Sequence, residues 1–302
     1  MEVKKLSRVS TVSKKADFAL NFMFVLYSLI CIIPFILIVM VSVTEESSLV
    51  INGYSFFPKI FSLNAYKYLF RSGGLLLQAY GITIFNTVVG TALSVMVISM
   101  FAYPLSRRDF KYRSFFSMFV FITMIFSGGL VPWYYVYSTV LHLKNNILVY
   151  ILPNLMSAWY VIIMKTFFAT TIPESLLEAA RIDGAGEFKT FFKIVLPLSL
   201  PGLATIALFN SVTIWNDYWV PLVFITKPSL YNLQYSMYIA LLNVQYLQEN
   251  VGRMVGTGVT AQLPVETIRM AMCIIGIGPI ILAYPLLQKY FIKGLTLGGV
   301  KG

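Results

Sequence analysis

Charge is scarce in this sequence: 12% of its 302 residues are Asp, Glu, Lys or Arg, against 58% that are hydrophobic. Soluble globular chains carry about a quarter charged residues and less than half apolar ones. One soluble core of this size cannot hide so much apolar material, so lipid is expected to solvate much of the surface. Histidine is scarcer still. His142 is the single one and lies in a short polar turn, which argues against a histidine-based catalytic or metal centre. The two cysteines, Cys31 and Cys273, each sit inside an apolar run, so neither a disulfide nor a metal site is expected. No Gly-Lys dipeptide occurs, so the chain has no G-x-x-x-x-G-K-[ST] phosphate loop, and ATP chemistry would have to come from another polypeptide. Acidic residues are few (12, against 23 basic), giving a net charge of +11. The basic residues are scattered at the ends of apolar runs, a placement that fits membrane orientation and not a patch tracking nucleic-acid phosphates.

What the sequence has is long apolar runs. A transmembrane helix needs roughly 20 mostly apolar residues. Six runs qualify: 18–43, 80–103, 114–137, 147–169, 198–225 and 267–292, the third interrupted by Gly128, Gly129 and Pro132. The first is longer than the roughly 7–15 residues of a signal-peptide core, and no small-residue cleavage site follows it, so it is expected to remain as a span. Lys4, Lys5, Arg8, Lys14 and Lys15 precede it, and Arg107, Arg108, Lys111 and Arg113 lie in the 104–113 turn. Arg181, Lys189 and Lys193 follow in the 170–197 loop, with Lys289, Lys293 and Lys301 near the C-terminus. The alternate loops are poorer in lysine and arginine, so both termini are expected in the cytoplasm, and six spans satisfy the parity. The expected organisation is an N-terminal tail over 1–17, a membrane domain over 18–292 and a C-terminal tail over 293–302. Aromatic groups such as Trp133-Tyr134-Tyr135 suit an interfacial belt.

The loop between the fourth and fifth runs is the most informative segment. Pro173 suits a first helical turn, with Thr170 or Thr171 as caps, and Glu174 and Glu178 sit early in the helix, where negative charge complements the dipole. Leu176, Leu177 and Ala180 form an apolar stripe at helical spacing, and Gly184 and Gly186 stop the helix and permit a reversal. Pro197 is expected to restart a helix that becomes the fifth span. Such an amphipathic pair suits either a groove on a partner protein or the lipid headgroup layer, and the residues alone leave both open.

Glu178-Ala179-Ala180, three residues, Gly184, nine residues, then Ile194, Leu196 and Pro197 resemble the EAA loop of binding-protein-dependent ABC importers at every fixed position and both spacings. The resemblance implies an all-α permease of the type I importer fold with six transmembrane helices. In that family the loop docks into a cleft on the ATP-hydrolysing subunit. Glu178, Arg181 and Asp183 would then face that cleft, Gly184 would make the turn, and Ile194, Leu196 and Pro197 would anchor the second helix to the bundle. Phe57-Pro58, Phe61-Ser62-Leu63-Asn64 with Tyr66, and Trp215-Asn216-Asp217-Tyr218-Trp219 with Pro221, are similar to the carbohydrate branch. The tail from Phe291 to Gly302 resembles the maltose-type subunit's, which reaches between the ATPase domains. With the long outer segment 226–266, the pattern looks closest to the LplC/YtcP group, associated with complex or oligomeric saccharides. The implied partners are a second, homologous permease chain, two ATPase subunits that bind ATP and magnesium, and an external solute-binding protein. No cofactor is expected in this chain.

For the substrate path, Asn210, Ser211, Thr213, Asn216 and Asp217 stand out as polar residues in the fifth run, since an acid in a span is expensive unless it faces water or a partner. Asn210, Thr213 and Asp217 fall on one helical face, and Trp215 and Tyr218 could stack on sugar rings. Packing against a second permease chain, with the same polar groups as glue, is the slightly favoured alternative. Asn86 and Asn154 read as interhelical hydrogen bonders, Lys165 as a side chain reaching for the interface, and Pro34, Pro153, Pro279 and Pro285 as kinks. Residues 230–247 suit a surface helix, followed by a flexible connection at Gly252, Gly256 and Gly258. This segment is expected to meet a binding protein or to lie as a lid on its own bundle. Peptide, amino-acid or polyamine cargo is the nearest alternative. An ion-coupled secondary transporter would require internal repeats and several embedded ionisable groups, and Asp217 is the one embedded carboxylate.

Overall fold

The computed structural model describes residues 13–71, 74–254, 265–282 and Pro285. It is mostly helical because backbone amides in lipid must be satisfied within their own segment. Among the described residues extended pairing amounts to a single bridge, Thr44 with Phe61. The helices are α1 (Lys14–Ser42), α2 (Glu46–Asn52), α3 (Asn64–Phe70), α4 (Gly74–Ser106) and α5 (Arg113–Ile125). After α6 (Leu130–Tyr135) comes a π-helical turn (Val136–Val140), then α7 (Leu148–Ile151), α8 (Ala158–Thr171), α9 (Glu174–Ile182) and α10 (Glu187–Thr190). A second π-helical turn (Phe191–Val195) leads to α11 (Leu196–Leu198), α12 (Leu200–Trp215), α13 (Trp219–Phe224), α14 (Leu233–Met254) and α15 (Val265–Ile277).

Contacts divide the chain into two units, residues 1–71 with 250–275 and residues 72–249 with 276–302. In the first unit Ser13 caps α1, accepting from Ala16 N at 3.3 Å. Glu46 on α2 caps the start of α15. Its Oε1 accepts from Glu266 N at 2.9 Å, and its Oε2 accepts from Thr267 N at 3.0 Å and Thr267 Oγ1 at 2.7 Å. A carboxylate there satisfies free N–H groups and complements the helix dipole.

The second unit is organised around α4, which packs along α12 and α8. Its main core joins Ile98, Ala102 and Tyr103 of α4, Val161, Met164 and Phe168 of α8, Ile206 of α12, and Phe191 and Val195 of the second π-helical turn. Gly202 lets α12 approach α8 closely: a Cβ there would stand 2.8 Å from the Phe167 ring. A second core gathers Val149, Tyr150, Val220 and Phe224.

The six apolar runs do not fold as six straight spans. Among the described residues two helices, α1 and α4, are individually long and apolar enough to cross a membrane. The third run breaks between α5 and α6, where the helical segments meet at 110°, and the fourth bends by 51° between Asn154 and Ala158. The helix ending at Leu198 meets α12 at 79°, so Pro197 lies in the last turn before a bend, and α12 starts at Leu200 with Pro201 in its first turn. The sixth run begins in α15 and its end lies outside the described residues, as do the C-terminal tail, Gly256 and Gly258. Residues 230–247 do enter a helix, α14, which runs on to Met254 and includes Gly252.

Candidate functional site

The 170–197 loop is a helix–turn–helix, and its backbone explains the motif spacing. Gly184 has φ +72°. Gly184 N donates to Arg181 O at 3.1 Å, and Ala185 N donates to Ala180 O at 2.9 Å. These paired bonds, closing six and four residues, form a Schellman C-cap with Gly184 as the left-handed residue. The fixed distance from Ala180 to Gly184 is therefore the distance from the last helical turn to the residue that closes it. Pro173 occupies the N-cap of α9. Thr170 and Thr171 belong to the last turn of α8, where Thr170 Oγ1 donates back to Thr166 O, so neither caps α9 as the sequence led us to expect.

Within this loop Glu178, Ala179 and Asp183 are exposed and Ala180 is buried. Two large apolar side chains near the turn are uncovered: Ile182 is 86% exposed and Phe188 72% exposed. Ile194 and Leu196 are half-buried and Pro197 is exposed, whereas Phe191 and Val195 are fully inside the core. Phe191 and Val195 lie in the main core, and Leu196 packs against it. The π-helical turn around them rotates the seam by about one residue from where a regular helix would put it.

Arg181 is exposed and is also tied within the chain. Its Nη2 donates to Asp109 Oδ2 at 2.7 Å and to Glu187 Oε1 at 3.5 Å. Asp109 in turn holds Arg107 in a two-pronged pair, Nε to Oδ1 at 2.9 Å and Nη2 to Oδ2 at 2.7 Å. Arg107 Nη1 completes the network with Glu187 Oε2 at 3.0 Å and the Tyr103 hydroxyl at 2.9 Å. The two arginines hold the Asp109 carboxyl at about 2, below the usual carboxylate range, and Asp109 raises both guanidinium groups in turn. Sequence reasoning missed Tyr103, Asp109 and Glu187 as partners. A signal was present: Asp109 is the one acid among four basic residues in the 104–113 turn. Beside this network, a cleft of about 440 Å³ is lined by Arg108, Arg113, Thr170, Glu174, Glu178 and Arg181.

The residues expected along a substrate path are dispersed. Asn210 is 3% exposed and its Nδ2 has no partner among the described residues. Thr213, one turn on, is exposed. Asp217 lies beyond the end of α12 and caps α13, its Oδ1 accepting from Trp219 N at 2.9 Å and Val220 N at 3.0 Å. The three do not share one helical face, because the helix stops at Trp215. Trp215 is 2% exposed and donates Nε1 to Gly276 O at 2.8 Å, so its ring is packing inside the chain and is not presented for stacking. Asn216 accepts from Gln234 Nε2 at 3.3 Å. Tyr218 is 44% exposed and sits 5.4 Å from Tyr238 on α14, an aromatic neighbour that sequence reasoning did not single out.

The interhelical role expected for Asn154 is corrected. Asn154 donates to Tyr150 O in its own turn at 3.1 Å. Asn86 is 2% exposed and neither its amide nitrogen nor its oxygen has a partner among the described residues. Lys165 donates to Ser117 Oγ at 2.7 Å, tying α8 to α5.

Apolar helices around an exposed helix–turn–helix loop define an integral membrane subunit of permease type. The family model described as "Binding-protein-dependent transport system inner membrane component" matches residues 10–297, and the chain belongs to that family. It is 39% identical over 277 residues to the polygalacturonan/rhamnogalacturonan transport system permease protein YtcP of Bacillus subtilis (strain 168), covering 92% of this chain and 95% of the relative. It is also 39% identical over 273 residues to protein LplC of the same organism, covering 90% of each. Among solved structures it is similar to a chain of a bacterial ABC transporter involved in the import of the acidic polysaccharide alginate. The TM-score is 0.77 at 28% identity, covering 93% of this chain and 99% of the other. The chain thus has the ABC importer permease fold, and its relatives are transport permeases and not enzymes.

Proposed function

We propose that this chain is the permease subunit of an ATP-driven importer that passes an oligosaccharide into the bacterial cytoplasm. The carrying observation is the Schellman-closed turn at Gly184, which holds Glu178, Ala179, Ile182 and Phe188 uncovered on one short rigid loop. A loop closed by its own backbone transmits displacement, whereas a floppy one absorbs it. The uncovered apolar groups favour a protein groove as the docking place. The ATPase subunits, which bind ATP and magnesium, would grip the loop through Glu178 and its exposed neighbours. A second, homologous permease chain and an external solute-binding protein would complete the complex. The chain would cross the membrane six times, as α1, α4, the three bent pairs and the run that begins in α15, with tails over 1–17 and 293–302 in the cytoplasm. Residues 226–266 would face the binding protein. Saccharide cargo is supported by the polysaccharide transport named for YtcP and for the alginate transporter. Asn210, Thr213, Asn216, Asp217 and Tyr218 remain the proposed pore segment, with Tyr218 its most available sugar-facing ring and Trp215 its support.

Reconstituted vesicles holding the full complex test this. Uptake of an oligosaccharide delivered by the cognate binding protein should require ATP on the loop side. Uptake that persists without ATP but needs an ion gradient would overturn the mechanism. A binding protein that holds peptides and no saccharide would overturn the cargo.

A further inference from the structure

The covalent path delivers the 170–197 loop to α8 on one side and, through a 79° bend, to α12 on the other. Helix α4, the centre of the packing in this unit, has no such connection to the loop. Where the two meet, the contact has a polar and an apolar part. The Tyr103 ring of α4 lies 5.4 Å from Phe191 and 6.3 Å from Phe168. Just past the end of α4, Asp109 is shared by Arg107 and by Arg181 of α9. Glu187, which opens α10, meets Arg107 at 3.0 Å and the Tyr103 hydroxyl at 3.0 Å. Apolar contact is non-directional and permits sliding, whereas forked guanidinium–carboxylate pairs fix orientation. The Arg107 side chain is 12% exposed, so its geometry is held by the protein and not by water.

We propose that Asp109 is a positioning residue: with Arg107, Arg181 and Glu187 it latches the coupling loop to the end of α4, so that displacement of α9 moves α4 together with α8. The proposal rests on the coupling role given to the loop above. It reassigns Arg181 from gripping the ATPase to fastening the loop that does. Neutralising Asp109 removes the closer of the two carboxylates that Arg107 and Arg181 share and leaves them only Glu187, 3.0 Å from Arg107 and 3.5 Å from Arg181, so the latch loosens while Tyr103, Phe191 and Phe168 keep the core packed.

The test uses the complete transporter in vesicles, with uptake and ATP hydrolysis measured together. Asp109→Asn should lower uptake per ATP hydrolysed about fivefold, the small end of typical site-to-site coupling. Asp109→Glu should restore most of it, and the amount of assembled complex should be unchanged in both. Arg107→Lys, which keeps the charge but loses the fork, should uncouple in the same direction. A normal ratio in Asp109→Asn overturns the latch. So does an Asp109→Asn protein that fails to assemble beside an Arg107→Lys protein that assembles and couples normally. Gly184→Val run alongside separates the two claims. If it uncouples and Asp109→Asn does not, the latch alone falls; if neither uncouples, the coupling role of the loop falls with it.

Discussion

The 170–197 loop and the polar cluster at 210–218 are both dense in motif residues, but they are built differently. The loop is shaped by bonds between near neighbours in sequence, such as Ala185 N to Ala180 O and Gly184 N to Arg181 O. The cluster is shaped by distant partners: Gly276 receives the Trp215 indole, Asn232 donates to the Asp217 carbonyl, and Gln234 donates to Asn216. A shape set by near neighbours can be read from residue spacing. A role set by distant partners cannot, which is why Trp215 and Tyr218, three residues apart, have opposite surroundings.

The largest expected effect tests that last contrast. Trp215→Ala should remove a buried ring and its hydrogen bond, at a cost of about 3–5 kcal/mol for truncating a packed aromatic. It should therefore lower the temperature at which the assembled complex is lost and reduce its yield. Tyr218→Ala, at an exposed ring, should leave that temperature nearly unchanged and reduce uptake. Thermal loss of assembly measured by size-exclusion chromatography, beside uptake, decides the matter. Equal thermal loss in both variants would erase the distinction between support and lining.

Gly184→Val comes next. The backbone there is left-handed and a Cβ would meet nothing within 4 Å, so the penalty is conformational and not steric crowding. A strained backbone of this kind costs about 1–3 kcal/mol, enough to disturb one turn without unfolding the bundle. Uptake per ATP should fall while membrane insertion persists, and Gly184→Asn, which tolerates the left-handed region better, should be milder. A valine variant with normal uptake would show that the turn geometry is not what the loop transmits through.

Much of the fold is written in apolar run length. Runs such as those of α1 and α4 need no tertiary information, because lipid forces any long apolar segment to satisfy its own backbone. The bends were less legible. An apolar run looks the same whether its helix is straight or turns by 110°, and the break after Ile125 is marked only by Gly128, Gly129 and Pro132. Thr170 and Thr171 misled because a threonine suits the end of one helix as well as the cap of the next. Phe191 and Val195 escaped notice because they reach the core, beside Leu196, through a π-helical turn that residue spacing does not announce. The ion network was nearly invisible, since Asp109 and Arg181 are 72 residues apart and nothing local pairs them.

The smallest expected effect concerns pH, and it sharpens the contrast between a latch of fixed charges and a titrating switch. The Asp109 carboxyl is held at about 2 by Arg107 first and Arg181 second. A depressed carboxylate contributes fully above its unfolded value, about 3.9, and loses that contribution only as the pH falls through the folded one. Both arginines stay charged far above neutrality. The latch should therefore be closed across the whole working range, and uptake per ATP should be flat between about pH 5 and pH 8 wherever the ATPase itself is active. High salt should weaken it through the exposed Arg181, Asp109 and Glu187 side, while Arg107 is sheltered. A ratio that instead changed steeply within that range and became flat in Asp109→Asn would place a titrating group in the latch and overturn its reading as a set of fixed charges.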